Sequence, residues 1–159
     1  MLYLEWERSV VPVFLLAVVV LILDQLSKFY VQEHMEVGMS IPVVQDVFHL
    51  TYILNPGAAF GLFEYQTGFF VVIALSMIIA AFYFYPRVPQ QYKLLRFGIG
   101  LMVGGAIGNL IDRIRTGYVV DFFDFRIWPI FNIADTGIVC GVGCIVFTII
   151  YLYKEDGKE

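Results

Sequence analysis

The sequence predicts an all-α membrane protein with four transmembrane helices and a small extracytoplasmic β-sheet that forms a cradle. Of its 159 residues, 60% are hydrophobic, and the mean hydropathy is +0.79. Soluble domains are about 45–50% apolar, so this composition is typical of a membrane protein. Four apolar segments reach or approach the ~20 residues needed to cross a hydrocarbon core of about 30 Å. The length allows a single domain spanning residues 1–159.

The four helices are expected at about residues 10–31, 68–85, 94–114 and 131–153. The first is the least regular, because its uninterrupted apolar run stops at Asp24. No basic run precedes it and no small-residue cleavage site follows it, so we expect a retained helix. Asp24 and Lys28 lie four residues apart, on one helical face, and are expected to form an ion pair. This pair is interpreted as structural, because burying either charge alone is costly.

The segment at about residues 36–66 leaves the membrane and is expected to form the β-sheet. Its stretch VVQDVFHLTYIL is rich in β-branched and aromatic residues, which favour strands. The segment ends in NPGAAFG, where Pro56 and Gly57 indicate a turn. Asn55, beside small residues, also suits an amide that faces a peptide backbone. Both interpretations of this motif stay open.

Glycines recur at small-xxx-small spacing in the third and fourth helices and predict close helix packing there. They are Gly100, Gly104 and Gly108, followed by Gly137 and Gly141. Close approach of the third and fourth helices brings their outer ends together. Those ends carry most of the polar side chains of the membrane region: Asn109, Asp112, Arg113, Asp121, Asn132 and Asp135.

The distribution of Lys and Arg predicts the orientation, since basic residues favour the cytoplasmic side. We expect both termini in the cytoplasm. The cytoplasmic basic residues are then Arg8, Arg87, Lys93, Arg96, Lys154 and Lys158. The polar cluster consequently lies near the extracytoplasmic face. The net charge of −4 identifies no partner, and nothing in the chain indicates nucleic-acid binding.

Asp121 and Asp135 each follow apolar residues, in VVDF and NIAD. A buried carboxylate must take up a proton or find a partner, and ionisable residues inside membranes are functional by default. The loop between these residues contains Trp128 and Pro129 and is long enough to fold back. Two carboxylates about 3 Å apart share one proton, which suits general acid–base hydrolysis of a peptide bond by water.

Two other functions remain compatible with these residues. A proton-coupled carrier or channel also uses membrane carboxylates, although no inverted repeat is visible. A non-catalytic assembly factor could use the same carboxylates in structural pairs. His34 and His49 lack the neighbours of a zinc site, so no metal or other cofactor is expected.

Five motifs in order resemble the signature blocks of lipoprotein signal peptidase, also called signal peptidase II. They are DQLSK (Asp24–Lys28), NPGAAFG (Asn55–Gly61), GGAIGNLIDR (Gly104–Arg113), VVDF (Val119–Phe122) and FNIAD (Phe131–Asp135). The resemblance covers essentially the whole chain. It implies an aspartic endopeptidase of the bacterial cytoplasmic membrane that cuts prolipoproteins before a cysteine carrying a diacylglyceryl group.

The resemblance also assigns roles to individual residues. It places the catalytic pair at Asp121 and Asp135. Substrate-binding positions are expected at Asn55, Gly57, Asn109, Arg113 and Asn132, and structural positions at Asp24, Lys28 and Asp112. The expected partners are a prolipoprotein substrate, the lipid bilayer and inhibitors of the cyclic peptide class of globomycin, and the expected state is a monomer.

Overall fold

The computed structural model describes the backbone of residues 2–57 and 66–156, and the side chains of residues 11–57 and 66–152. Residues 58–61 of the NPGAAFG motif and the side chains of Arg8, Lys154 and Lys158 lie outside these ranges. The helices are α1 (Leu2–His34), α2 (Thr67–Phe84), α3 (Lys93–Thr116) and α4 (Ile133–Asp156). The strands are β1 (Ser40–Val44), β2 (Phe48–Asn55) and β3 (Val119–Asp124).

All four helices are long and apolar enough to cross a membrane. The candidate spans are Val11–His34, Thr67–Arg87, Lys93–Thr116 and Ile133–Leu152. Together with the small sheet, they confirm the predicted fold class. Helix α1 continues well past Asp24 to His34. The charge of Asp24 does not end the helix because Lys28, one turn later, lies 2.8 Å from it.

Helix α3 occupies the centre of the fold and packs against the three other helices. A methyl group added at Gly104 would lie 2.6 Å from the carbonyl oxygen of Ala17 in α1. The ladder of Gly100, Gly104 and Gly108 therefore faces α1, and Gly108 also lies against Ala134 of α4. Contact with α4 uses a second row, in which Gly98 meets Gly141. The expected close packing of α3 is therefore confirmed, and it uses two small-residue faces of the helix, one against α1 and one against α4.

The sheet is antiparallel, with strand order β1-β2-β3. Only the β1–β2 part was expected, and β3 comes from the connection between α3 and α4. Residue Ile53 of β2 pairs with Asp121 of β3. One face of the sheet packs against the end of α1 through a hydrophobic cluster that includes Val31, Tyr52 and Phe122. This packing holds the sheet over the helical bundle.

The short link from α3 to β3 positions the polar residues of both elements. Gly117 ends α3 with φ 83°, a left-handed conformation that glycine adopts without steric cost. Its N–H donates to the carbonyl oxygen of Arg113 at 3.0 Å. After β3 the chain returns towards the sheet, where Phe131 bridges to Phe123, and α4 begins at Ile133. Strand β3 and the first turn of α4 are thereby brought together.

Candidate active site

A cavity of about 580 Å³ lies where the outer ends of α2, α3 and α4 meet the sheet. Six of the predicted site residues line it: Asn55, Gly57, Asn109, Arg113, Asp121 and Asp135. They come from β2 and the turn after it, from α3, from β3 and from α4. The sequence-predicted polar residues therefore converge at one place, although they are separated along the chain.

Asp121 reaches the cavity from the middle of β3 and is only 1% exposed. Each of its oxygens accepts a hydrogen bond from an amide. The side chain of Asn132 donates to Oδ1 at 2.7 Å, and that of Asn55 donates to Oδ2 at 2.8 Å. Asn55 is itself fixed, because the N–H of Gly57 donates to its Oδ1 at 2.9 Å. The β2 turn thus orients the donor that holds Asp121.

Asp135 lies at the third position of α4, where backbone N–H groups are free of partners within the helix. Its Oδ2 accepts from the N–H of Asn132 at 3.2 Å, and its own N–H donates to Asn132 Oδ1 at 2.8 Å. These reciprocal bonds form a capping box. The side chain of Asn109 in α3 donates to Asp135 Oδ1 at 2.7 Å. The carboxylate therefore stands at the positive end of a helix with both oxygens bonded.

The surroundings of Asp121 disfavour its charged form. Burial, followed by the charge of Asp135, raises the pKa of Asp121 to about 7, although the hydrogen bonds from Asn55 and Asn132 oppose the shift. Two interacting carboxylates of this kind titrate as a pair and retain one proton between them near neutral pH. Such a pair contains both a proton donor and a proton acceptor.

Arg113 provides the positive charge at the mouth of the cavity. Its Nη2 donates to the carbonyl oxygen of Gly57 at 3.2 Å, and the guanidinium stacks 4.7 Å above the centre of the Phe70 ring. It interacts electrostatically with both Asp135 and Asp121. A fixed cation near the two acids can stabilise negative charge that develops on a reacting carbonyl.

Asn132 occupies a different position from the one expected of a substrate-binding residue. Its side chain is fully buried and does not line the cavity. It lies behind the two aspartates and bonds to both of them, to Asp121 through the side chain and to Asp135 through the capping box. The structure therefore gives Asn132 the position of a bridge between the two acids.

The residues predicted to be structural form a buried charge cluster on the far side of Asn109. Lys28 Nζ lies 2.8 Å from Asp24 and 2.9 Å from Asp112. Asp24 also accepts from the N–H of Ala134 in the first turn of α4 at 2.9 Å. Gln25 was not recognised from the sequence, yet its amide lies within 3.2 Å of both Asp24 and Asp112. The cluster joins α1, α3 and α4 directly beneath the cavity.

The lower part of the cavity is apolar and extends towards the membrane. Helix α2 contributes Ile73 and Met77, while α4 contributes Val139. Ile73 and Val139 are also 39% and 70% exposed on the outer surface of the helices, within the candidate membrane spans. Helix α2 packs on α3 and makes little contact with α4. Sequence could not single out these side chains, because apolar residues are the norm throughout a transmembrane helix.

The fold and the site define a multi-pass membrane protein with two buried carboxylates at the polar end of a lipid-facing cavity. The family model of signal peptidase (SPase) II matches residues 16–151 of this sequence. The chain therefore belongs to the signal peptidase II family, which is a family of proteases.

Individual relatives and solved structures agree with this assignment. The lipoprotein signal peptidase of Moorella thermoacetica is 47% identical, over 93% of this chain and 99% of the relative. That of Clostridioides difficile is 45% identical, over 92% and 98%. A solved structure described as a bacterial membrane enzyme has a TM-score of 0.83 at 37% identity, covering 88% of each chain. A second of the same description has a TM-score of 0.79 at 37% identity, over 87% of this chain and 92% of that one.

Proposed function

We propose that this protein is an aspartic endopeptidase that removes the signal peptide from diacylglyceryl-modified bacterial prolipoproteins, cutting before the lipidated cysteine. The proposal rests on one observation: a single cavity contains both a pair of carboxylates and an apolar wall. Asp121 and Asp135 lie at its polar end, and an apolar wall leads from them to the lipid-facing surface. A substrate that is half peptide and half lipid matches both parts.

In the proposed reaction, water is the nucleophile and the two aspartates divide the proton transfers. The ionised carboxylate removes a proton from water as the water attacks the scissile carbonyl carbon. The protonated carboxyl donates to the carbonyl oxygen, so a tetrahedral diol forms. Collapse of the diol breaks the C–N bond: the carboxyl that took the proton from water donates it to the leaving amine of the cysteine, and the other carboxylate takes a proton back from a diol hydroxyl, which regenerates the pair. General acid–base transfer of this kind supplies about 10²- to 10⁴-fold of rate.

The other polar residues of the cavity are suited to holding the peptide. Asn55 and Arg113 line the cavity beside Asp121, and the carbonyl oxygen of Gly57 already accepts from Arg113. An extended peptide lying between these groups would present its carbonyls to N–H donors. Holding the scissile bond between two fixed acids then increases the reaction rate through proximity and orientation.

The apolar wall explains why this chemistry is carried out in a membrane. The proposed path for the acyl chains runs between α2 and α4, past Ile73, Met77 and Val139. Along this path the acyl chains stay in the hydrocarbon phase. Exposing them to water would cost about 0.8 kcal/mol for each methylene group.

We further propose a bacterial cytoplasmic membrane location with both termini in the cytoplasm and the cavity near the outer face. The basic residues Arg87 and Lys93 support this orientation, since Arg87 lies between α2 and α3 and Lys93 begins α3, at the end of the bundle opposite the sheet. By family resemblance, a globomycin-type cyclic peptide is expected to occupy the same cavity. A monomer contains the complete proposed site.

Cleavage of a defined substrate tests the proposal. Purified wild-type protein in detergent is mixed with a diacylglyceryl-modified prolipoprotein or with the same prolipoprotein lacking the lipid. The masses of the products are then measured by mass spectrometry. We expect cleavage of the lipidated form only, immediately before the modified cysteine, and inhibition by globomycin. Equal cleavage of both forms, or a cut at another bond, would contradict the proposed substrate.

A further inference from the structure

Lys28 is buried behind the proposed active site, and only 2% of it is exposed. Its ammonium group is 2.8 Å from Asp24 Oδ2, 2.9 Å from Asp112 Oδ2 and 2.8 Å from Asn109 Oδ1. The first two contacts neutralise charge, and the contact with Asp112 also joins α1 to α3. The third contact has a different consequence, because Asn109 itself bonds to Asp135.

The contact with Lys28 fixes which end of the Asn109 amide faces the proposed active site. An ammonium group donates hydrogen bonds and accepts none, so the Asn109 atom that faces Lys28 must be the carbonyl oxygen Oδ1. The amide nitrogen then points the other way, where it donates to Asp135 Oδ1 at 2.7 Å. The reverse orientation would set N–H against ammonium and oxygen against carboxylate, two repulsive contacts in a buried site.

The same amide oxygen connects Lys28 to the second acid. Asn109 Oδ1 also accepts from Asn132 Nδ2 at 3.1 Å, and that nitrogen donates to Asp121 Oδ1 at 2.7 Å. Lys28 therefore stands at the start of a continuous set of hydrogen bonds that reaches both aspartates. Asp24 and Asp112 hold the ammonium group in place, and Asp112 Oδ2 also accepts from the N–H of Val120 in β3 at 3.2 Å.

We infer that Lys28 is a positioning residue for the reaction: through Asn109 it presents an N–H donor to Asp135 and keeps Asp135 the ionised member of the acid pair. The inference rests on the proposed peptidase function. Among the described residues, the other charged groups that face Asp135 are Arg113 of α3 and Asp121 of β3. Arg113 supports the same ionisation state. Asp135 lies in the first turn of α4, whereas Asp121 lies in a strand, so in this proposal the shared proton resides on Asp121.

A purely structural role for Lys28 is the competing explanation, and a charge-matched pair of variants separates the two. The wild-type cluster contains two carboxylates and one ammonium group. Asp112→Asn removes one carboxylate and leaves the contact between Lys28 and Asn109 intact. The double variant Asp112→Asn/Lys28→Met removes the ammonium group as well and restores the net charge of the wild-type cluster. Its remaining carboxylate, Asp24, keeps the N–H of Ala134 as a partner.

The experiment measures kcat, KM and the pH profile of kcat for wild type and both variants on a lipidated prolipoprotein, together with their thermal unfolding in detergent. Asp112→Asn is expected to keep the wild-type kcat and profile. In the double variant, kcat is expected to fall by about 10²-fold, the effect of a small misplacement of reacting groups. KM should change little, and the acidic fall of the profile should move to higher pH.

Three outcomes would overturn the inference. One is a folded double variant with the kcat and the pH profile of Asp112→Asn, since Lys28 would then contribute only to stability. Another is a higher KM at unchanged kcat, which indicates a binding role. Failure of the double variant to fold while Asp112→Asn folds would also count against it, because Lys28 would then be required for the fold as a whole. Absence of cleavage by the wild type is a separate result and contradicts the proposed function itself.

Discussion

Asn132 and Asp135 exchange hydrogen bonds at the start of α4: the N–H of Asp135 donates to Asn132 Oδ1 at 2.8 Å, and the N–H of Asn132 donates to Asp135 Oδ2 at 3.2 Å. One side chain thus begins the helix and orients a proposed catalytic acid. Because Asn132 Nδ2 also bonds to Asp121, the helix cap and the acid pair form one unit. Stability and activity can nevertheless be separated by substitution.

Replacement of Asn132 distinguishes its two contributions. Asn132→Ser keeps an oxygen that can cap α4 but loses the amide donor to Asp121, so we expect it to unfold at a higher temperature than Asn132→Ala while losing cleavage by about 10²-fold or more. Asn132→Ala loses both and should also be destabilised, by about 1 kcal/mol for the cap alone. Cleavage rates and unfolding temperatures measured side by side check this. Full activity of Asn132→Ser would show that the bond to Asp121 is dispensable.

The pH dependence of cleavage follows from the proton shared by the pair. Burial, together with the charge of Asp135, raises the pKa of Asp121 to about 7. As the pH rises through this value the pair loses the proton that the proposed reaction donates to the carbonyl oxygen. We therefore expect kcat/KM to fall on the alkaline side of about pH 7, and the apparent pKa of this fall belongs to the two carboxylates as a coupled pair. A rate that stays constant or increases up to about pH 9 contradicts this assignment.

The raised pKa of Asp121 also predicts how the stability of the protein depends on pH. Folded Asp121 binds its proton more tightly than an unfolded Asp, whose pKa is about 3.9. Its contribution is therefore complete below about pH 4 and is lost as the pH rises through about 7. Between about pH 5 and pH 8, the unfolding temperature of Asp121→Asn should fall less than that of the wild type.

Asp124 on the same strand provides the control for this measurement. Although burial opposes it, hydrogen bonds from Thr51 and Arg126 lower the pKa of Asp124. Its contribution to stability is present above about pH 4 and is lost only as the pH falls further. Asp124→Asn should consequently leave the decline between about pH 5 and pH 8 as steep as in wild type. Equal slopes for Asp121→Asn and Asp124→Asn would show that Asp121 does not titrate in this range.

Two glycines of α4 test the close packing against α3. A methyl group at Gly141 would lie 2.6 Å from the backbone nitrogen of Met102, so Gly141→Ala must push the helices apart and should lower the unfolding temperature. Among the atoms that the structure describes, nothing lies within 4 Å of a methyl group at Gly143. Gly143→Ala should therefore be neutral, or stabilising by up to about 1 kcal/mol from helix propensity. Equal unfolding temperatures for the two variants would contradict the packing described.

Sequence could predict the features that depend on local composition. Apolar length identified the four membrane helices, and carboxylates set in apolar surroundings identified Asp121 and Asp135 as residues requiring a partner. The cross-strand pair Asn55 and Val119 shows the limit of prediction from local sequence. They pair across the β2–β3 ladder, and nothing local to either residue specifies this partner.

The unpredicted features are those created by contacts between distant segments. Strand β3 is buried along most of its length, so it lacks the alternating pattern that marks a half-exposed strand. The bond between Asp121 and Asn132 and the contact between Lys28 and Asn109 form only when β3, α1, α3 and α4 assemble. The spacing of Asp24 and Lys28 indicated an ion pair, and gave no sign that the same ammonium group also orients an amide beside Asp135.

The most direct test of the central proposal compares one substitution at three aspartates. Asp121→Asn, Asp135→Asn and Asp124→Asn are purified in detergent and assayed on a diacylglyceryl-modified prolipoprotein, with folding checked by thermal unfolding. Asp121 and Asp135 line the cavity, whereas Asp124 bonds to Thr51 and Arg126 elsewhere in the sheet. We predict that the first two variants lose cleavage by at least about 10²- to 10⁴-fold, while the third retains it. Near wild-type cleavage by folded Asp121→Asn or Asp135→Asn would contradict the paired-aspartate mechanism.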